Sequence, residues 1–537
     1  NLTLIAGYNY EAKYYRDLTA ANDGLLSEDL SDFNLAKGTT NFTLNGGRNE
    51  YAIMGWFYRA AYDYKGKYLA EVNGRYDGTS RFPRGKRYGF FPSFSAAYRI
   101  SEEAFFEPLR KTVDNLKIRL SYGSLGNQQI GYYDFIQTIT TKGSMGDYSF
   151  DGTILGQHAT VSDPVSGNQT WEKVISKNLG ADLNMFSNRL SLTADFYIRD
   201  TKGILGKGKS LPSIYGANEP QVNSNNLRTK GYELVLGWRD SFKLAGSTFS
   251  YGITGTFSDY TAEYTKCDNP SGLIGDPYVG KKYGEIWGYK VDGLFRNDEE
   301  AAEYASRVDL SKVAAGYYSA TGAYGKGVRG GDIKYLDLDG SGIVDGGKGT
   351  LEDPGDRRVI GNSSPRYQYG LTLNLSWYGF DLSVFMQGIG RLDWYPGADN
   401  LRFWGPYSRP YATFIPKNFM SQVWSESNPD AYLPRARAYT SLNSTQGTAY
   451  YTNDRYLQNL AYCRLKNLTL GYTIPKRLTS KVGIKECRVY FSGENLATWS
   501  ALKNDFLDPE QAAADSDKKS NVYPWCRTYS VGLNLTF

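Results

Sequence analysis

The 537-residue sequence contains no run of eighteen or more apolar residues. That excludes a transmembrane helix, which needs about 20. It does not exclude transmembrane strands, which hide every second residue from a hydropathy scan. Histidine is almost absent: His158, in the segment GQHATVSDP, is the only one, and a lone loop histidine reads as a solvated side chain rather than a general base. No G-x-S-x-G, H-E-x-x-H or phosphate-cradling P-loop is present. Nothing in the sequence sets two carboxylates at the separation a glycosidase needs, so an enzyme is not expected. Cysteine is scarce: Cys267, Cys463, Cys487 and Cys526 lie far apart, and none forms a C-x-x-C pair. Thiolate metal ligation is therefore not expected, and free thiols are the default. An excess of one charge is missing too, with 61 basic and 56 acidic residues and a net charge of +5. No basic stripe interleaves with aromatics, so nucleic acid is not an expected partner.

What is abundant is tyrosine and glycine, 46 and 59 residues, in a chain of 15% aromatics and mean hydropathy −0.50. The last nine residues, YSVGLNLTF, place Tyr529, Val531, Leu533, Leu535 and Phe537 on one face of a strand and Ser530, Gly532, Asn534 and Thr536 on the other. One row suits acyl chains and the other a wet lumen, the pattern of an outer-membrane barrel strand. The pattern recurs at Leu468 to Ile474 and Tyr367 to Trp377, and near residues 2–10, 51–63, 68–76, 90–100, 115–123, 173–184, 190–199, 231–239, 249–260, 380–388 and 487–495. The fold class expected is all-β, an antiparallel transmembrane β-barrel wall with about fourteen strands in this chain.

The connections alternate. Short links fall at Asp63 to Lys67, Phe186 to Arg189 and Trp377 to Gly379; long ones run from Glu11 to Glu50, Leu125 to Glu172, Thr201 to Lys230, Thr261 to Pro365 and Arg391 to Asn459. Tight turns at one rim and long loops at the other are what a barrel shows when one rim alone must reach a ligand. With the C-terminus at the periplasmic side, fourteen strands place the N-terminus at the same rim.

Seven segments carry a family resemblance. They are GWFYRAAYDYKGKYLAEVNGRYDGTSRFPRGKRYGFFPSFSAAYRISEE (Gly55 to Glu103), DNLKIRLSYGSLGNQ (Asp114 to Gln129), LRTKGYELVLGWRD (Leu227 to Asp240), GEIWGYKVDGLF (Gly284 to Phe295), DPGDRRVIGNSSPRYQYG (Asp353 to Gly370), NDRYLQNLAYCRLKNLTLGYTIPK (Asn453 to Lys476) and the final RTYSVGLNLTF. In order and end to end, the chain resembles the C-terminal part of SusC/RagA-type TonB-dependent transporters of Bacteroidota. The resemblance implies active uptake of oligosaccharides or peptides across the outer membrane. It also implies a SusD-like surface lipoprotein as lid and energy from TonB–ExbB–ExbD through an N-terminal region. That region, with a TonB box, a plug and the first strands of a barrel of about 22, has no match here. The chain is therefore expected to be the C-terminal part of a transporter that is split, nicked or only partly represented here, pairing its edge strands with the N-terminal plug/barrel polypeptide and its apolar face with outer-membrane lipids. Two other readings stay open, a self-closed passive fourteen-strand porin-like channel and a surface glycan-binding or adhesin scaffold.

Within the long link 261–365, segment 332–353 is a candidate calcium-binding stretch. In DLDGSGIVD, Asp337, Asp339, Ser341 and Asp345 occupy the first, third, fifth and ninth positions of an EF-hand-like loop, with Gly342 at the sixth and the Ile343 carbonyl at the seventh. These are hard oxygen donors suited to a structural Ca²⁺. Position twelve is Lys348 rather than a bidentate Glu, so Glu352, Asp353 or Asp332 would have to complete the set; otherwise the segment is a Gly/Asp-rich turn. Aromatic clusters at Trp287 and Tyr289, Trp394 and Tyr395, Arg402 to Tyr407, and Tyr411 suit stacking on sugars or apolar side chains, or packing of the links. Among them Asp399, Arg402 and Trp404 are the candidate substrate-binding residues.

Overall fold

The structure, a computed structural model, describes every residue except 26, 30, 143–148, 151–152, 155–157, 209–210, 319–326, 410, 412, 414, 438–441, 443–446, 505, 515–522 and 524. Fourteen strands form one sheet: β1 Leu2–Ala21, β2 Thr43–Tyr64, β3 Tyr68–Thr79, β4 Tyr88–Arg99, β5 Val113–Asn127, β6 Glu172–Met185, β7 Leu190–Lys207, β8 Gln221–Leu244, β9 Ser247–Lys266, β10 Arg366–Trp377, β11 Phe380–Arg391, β12 Tyr462–Thr473, β13 Glu486–Ser500 and β14 Thr528–Thr536. They hydrogen-bond in chain order from β1 to β14. All fourteen expected strands are present. No described helix is long and apolar enough to cross a membrane.

By contact density the chain falls into two compact units, one made of Asn1–Tyr98, Arg119–Asn178 and Ile198–Arg228, the other of Arg99–Ile118, Leu179–Tyr197 and Thr229–Phe537. In the first, antiparallel register aligns Tyr8 with Trp56, Trp56 with Tyr76 and Tyr76 with Phe90, and Leu4 with Ala60, Val72 and Phe94 in turn. The large side chains of these rows are exposed. The intervening row runs Ile5, Arg59, Asn73, Ser93. On that face Arg59 pairs with Glu71 at 2.6 Å and Arg75 with Asp77 at 2.9 Å.

The second unit repeats the division over six strands. Tyr251, Leu375, Leu382, Leu470, Phe491 and Val531 form one continuous apolar row; Gly252, Asn374, Ser383, Thr469, Ser492 and Ser530 form its polar neighbour. The Arg488 guanidinium on β13 crosses β12 to hold Asp381 of β11, with Nε–Oδ1 at 2.9 Å and Nη2–Oδ2 at 2.5 Å. It crosses at Gly471, where a Cβ would strike both partners. An exposed apolar sheet face this extensive is unstable in water and stable against lipid, while the ion-paired face belongs to water.

Strand ends depart from the sequence expectation. β1 runs on from Tyr10 to Ala21 in unbroken register with β2, pairing Ala21 with Thr43. Beyond Tyr10 one row keeps Ala12, Tyr14 and Leu18 but is broken by Arg16, and the other carries Glu11, Lys13, Tyr15 and Asp17, so periodicity alone does not carry the strand this far. The first long link therefore shrinks to residues 22–42, and the β7–β8 link to 208–220. A further long link, 501–527 between β13 and β14, was not foreseen because its acidic and lysine-rich stretch carries no strand or loop motif of its own.

Candidate functional site: the core of the long links

The two longest links, 267–365 and 392–461, fold into a hydrophobic core of their own. Short ladders start it: Glu285–Tyr289 pairs with Arg357–Asn362, Val291–Leu294 with Ile333–Tyr335, and Asp393–Trp394 with Gln458–Asn459. The helix α1 Asp298–Arg307 begins at Asn297, whose Oδ1 accepts from the Glu300 amide at 2.8 Å. Three acids fill its first turn and Arg307 its last, matching the helix dipole.

Aromatic side chains fill the interior. Tyr335, Trp404 and Tyr456 are fully buried. The Trp404 ring meets Tyr456 at 5.0 Å and Phe403 at 4.8 Å, and its Nε1–H donates to the Gly397 carbonyl at 3.1 Å. Buried Asn453 donates to the Tyr395 hydroxyl at 3.1 Å and the Tyr451 carbonyl at 2.9 Å, and accepts from the Tyr456 amide. Burial drives the Tyr335 and Tyr395 phenols far above their ordinary pKa, so both stay neutral donors; the Tyr335 hydroxyl donates a hydrogen bond to the Thr448 carbonyl.

An ion pair ties the links together. Arg437 grips Asp332 at 3.0 and 2.6 Å, with side-chain exposures of 6% and 1%. Burial pushes the Asp332 carboxyl up to about 6 against the pull of Arg437 and of the Arg329 amide. The last long link is tied to β12 in a similar way, by Arg464 with Asp508 at 2.5 Å and Glu510 at 2.9 Å, and by Lys466 with Glu510 at 2.7 Å.

The acidic turn is built differently from the sequence expectation. The carboxylates that converge, with oxygens within 4.8 Å of one another, are Asp337, Asp339 and Asp356. Asp356 lies three residues beyond the expected segment and was missed. The Asp356 amide bonds to the Asp345 carbonyl at 3.0 Å, and its carboxylate accepts from Leu338 at 2.6 Å and Asp345 at 2.9 Å. The DPGD turn at 353–356 was the available signal. Asp345 instead turns its carboxylate to the Gly347 amide, the Ile343 carbonyl accepts the Ser341 hydroxyl, and Asp332 is held by Arg437. Burial, reinforced by the Asp339 charge, raises the Asp356 pKa; Ser341 holds that of Asp339 below the usual carboxylate range. A buried carboxylate with two like-charged neighbours suits a hard divalent cation, which takes oxygen ligands.

The three candidate substrate residues sit within one short stretch but face different surroundings. Trp404 is in the core, where packing leaves no ring face for a ligand. Asp399 is half exposed, 3.4 Å from Arg409. Arg402 borders a small cleft with Phe403, Phe419 and Asn504. Tyr289, Trp394, Tyr395, Phe403 and Tyr407 are buried as well, which assigns those aromatics to packing, whereas Tyr411 is exposed. No disulfide is formed among the described cysteines. On the polar face of the second unit an open hollow of about 730 Å³ is bordered by Arg189, Arg239, Asp240, Asn374, Ser376 and Asp381.

Residues 1–496 match the family described as TonB dependent receptor-like, beta-barrel. The chain belongs to that family. It is 27% identical to TonB-dependent receptor P3 of Formosa agariphila, over all of this chain and 50% of that protein. It is 23% identical to TonB-dependent receptor SusC of Bacteroides thetaiotaomicron, over 90% of this chain and 44% of that one. The RagAB peptide transporter superposes with a TM-score of 0.74 at 22% identity, covering this whole chain and 53% of its counterpart. The fold is thus shared with that transporter, and the chain spans about half the length of the curated relatives it matches.

Proposed function

We propose that this chain forms part of the wall, and much of the loop superstructure, of an outer-membrane importer for oligosaccharides or peptides. The observation that carries the reading is the division of the sheet into an exposed apolar face and an ion-paired polar face, in a chain of the TonB-dependent receptor family. The polar face borders the transport path, and the long-link core supports the ligand-receiving mouth. A SusD-like lipoprotein closes over that mouth, while TonB–ExbB–ExbD acts through a plug carried by the other half of the transporter. The resemblance to SusC/RagA-type transporters supports an oligosaccharide or a peptide, and the fold shared with the RagAB peptide transporter favours the peptide.

Asp337, Asp339 and Asp356 bind a structural Ca²⁺ that stiffens the 267–365 link, in a role separate from transport chemistry. Asp399 and Arg402 contribute to ligand contact at the mouth, and Trp404 supports them by packing.

The test is uptake by cells carrying the intact transporter, supplied with labelled oligosaccharides and labelled peptides, with and without a functional TonB. TonB-dependent accumulation of one class supports the reading. Equal accumulation without TonB, with steady ion conductance of the purified protein in bilayers, would overturn it in favour of a passive channel.

A further inference from the structure

The link 474–485 between β12 and β13 does not read as a simple turn. Its sequence, IPKRLTSKVGIK, carries Lys476, Arg477, Lys481 and Lys485 and no acid. All four cations are exposed, and none joins an ion pair with a described residue. The backbone beneath them is well anchored. Ile474 donates to the Cys487 carbonyl at 2.9 Å, Ile484 to Thr479 at 3.2 Å and Lys485 to Thr536 at 2.8 Å, and Thr479 is buried. A chain with no need of these charges for folding has no reason to gather four of them on a fixed frame, because like charges side by side repel.

The setting says what they face. The Thr473 amide, at the start of the link, bonds to the Gly379 carbonyl at 2.7 Å, so the link abuts the β10–β11 turn. Around that turn the apolar row ends in aromatics: Phe380 lies 4.6 Å from Tyr472, and Trp377 lies 5.0 Å from Tyr378. Tyrosine and tryptophan at strand ends mark the membrane–water interface. Leu478, 53% exposed, projects from the same short helix as Lys476 and Arg477. An apolar tip flanked by cations at interfacial depth matches an anionic lipid in both of its parts.

We infer that the 474–485 link binds the anionic phosphate headgroup of a lipid in the leaflet at the tight-turn rim, with Leu478 entering its acyl boundary. The inference rests on the apolar face meeting lipid, as proposed above. Such a contact fixes the height of β12 and β13 in the bilayer.

The test reconstitutes the complete transporter in nanodiscs of mixed phosphatidylcholine and phosphatidylglycerol and counts retained lipids by mass spectrometry after detergent extraction. The variant Lys476→Gln/Arg477→Gln/Lys481→Gln/Lys485→Gln is expected to lose retained phosphatidylglycerol by more than about tenfold. The charge-keeping variant with arginine at all four positions is expected to retain it, and raised salt to weaken it. The milder pair Lys481→Gln/Lys485→Gln, expected to lose part of the lipid, covers the case in which the fourfold variant fails to assemble. Equal retention by wild type and neutral variants overturns the inference, as does displacement of the lipid by millimolar inorganic phosphate, which would mark a free-anion site. Equal retention in a transporter that still inserts overturns this inference alone, whereas failure of the wild type to enter bilayers overturns the membrane reading itself.

Discussion

Trp404 separates two roles that its sequence surroundings suggest equally. Its ring is fully buried, edge-on to Phe403 and Tyr456, and its Nε1–H is bonded to Gly397. Trp404→Ala therefore removes a complete core side chain and leaves a cavity, at a cost of about 3–5 kcal/mol. The Gly397 carbonyl also loses a buried donor, which adds about 1 kcal/mol. A global melt reports the whole chain rather than this core. Local opening reports it instead. Hydrogen exchange at the Tyr456 and Trp424 amides, bonded to Asn453 and to the Leu433 carbonyl, should quicken by about a hundredfold or more, since each 1.4 kcal/mol is a factor of ten. Trp404→Phe keeps most of the apolar volume and loses the bond to Gly397, so its exchange should quicken by tenfold or less. If Trp404 instead offered its face to a ligand, alanine would leave exchange unchanged within about threefold and weaken only ligand binding. That outcome would refute the packing assignment.

Three further outcomes follow from the same geometry. Calcium titrated calorimetrically into the intact transporter should bind saturably and slow proteolysis of the 267–365 link; Asp356→Asn should abolish both effects, and an absence of heat in the wild type would refute the site. Gly471→Val should place a side chain between Asp381 and Arg488 and cost about 1–3 kcal/mol, seen as a lower temperature for the heat-modified gel shift; an unchanged transition would show that the bridge does not pass over Gly471. The Asp332 carboxyl has a raised folded pKa, about 6 against an ordinary 3.8, so the folded links bind the proton more tightly than the unfolded chain. The stability of the link core should therefore be highest below about pH 4 and fall by about 3 kcal/mol as pH rises to about 6, and Asp332→Asn should flatten that slope; a wild-type profile that is flat from pH 4 to 7 would refute it.

The strands were legible because one physical rule generates both their sequence and their surroundings. A strand between lipid and water must alternate, so Leu371, Leu373 and Leu375 interleaved with Thr372 and Asn374 signal β10 without any partner being known. The chain order of pairing followed from tight turns such as Tyr378–Gly379, which leave a strand no neighbour but the next. Where the rule weakened, so did the reading. Beyond Tyr10 both rows of β1 carry charge or tyrosine, and the register with β2, a property of two segments together, is what keeps the strand going.

The link core was legible in its parts and not in its assembly. Asp337 and Asp339 announce an oxygen-ligand turn by their spacing, but the third carboxylate comes from Asp356, which is brought back by main-chain bonds rather than by periodicity. No local motif predicts that return, because it depends on how the 353–356 turn folds against residues 338–345. The same holds for Trp404. A tryptophan beside Arg402 and Phe403 looks alike in sequence whether it lines a mouth or fills a core. What decides is the ring on its other side, Tyr456, fifty-two residues further along the chain. Two links that each look like an exposed excursion bury their aromatics by meeting one another. The two links are therefore held by mutual packing and by the Asp332–Arg437 pair, and if they form the mouth proposed above, changes that separate them should disturb ligand capture before they disturb the sheet.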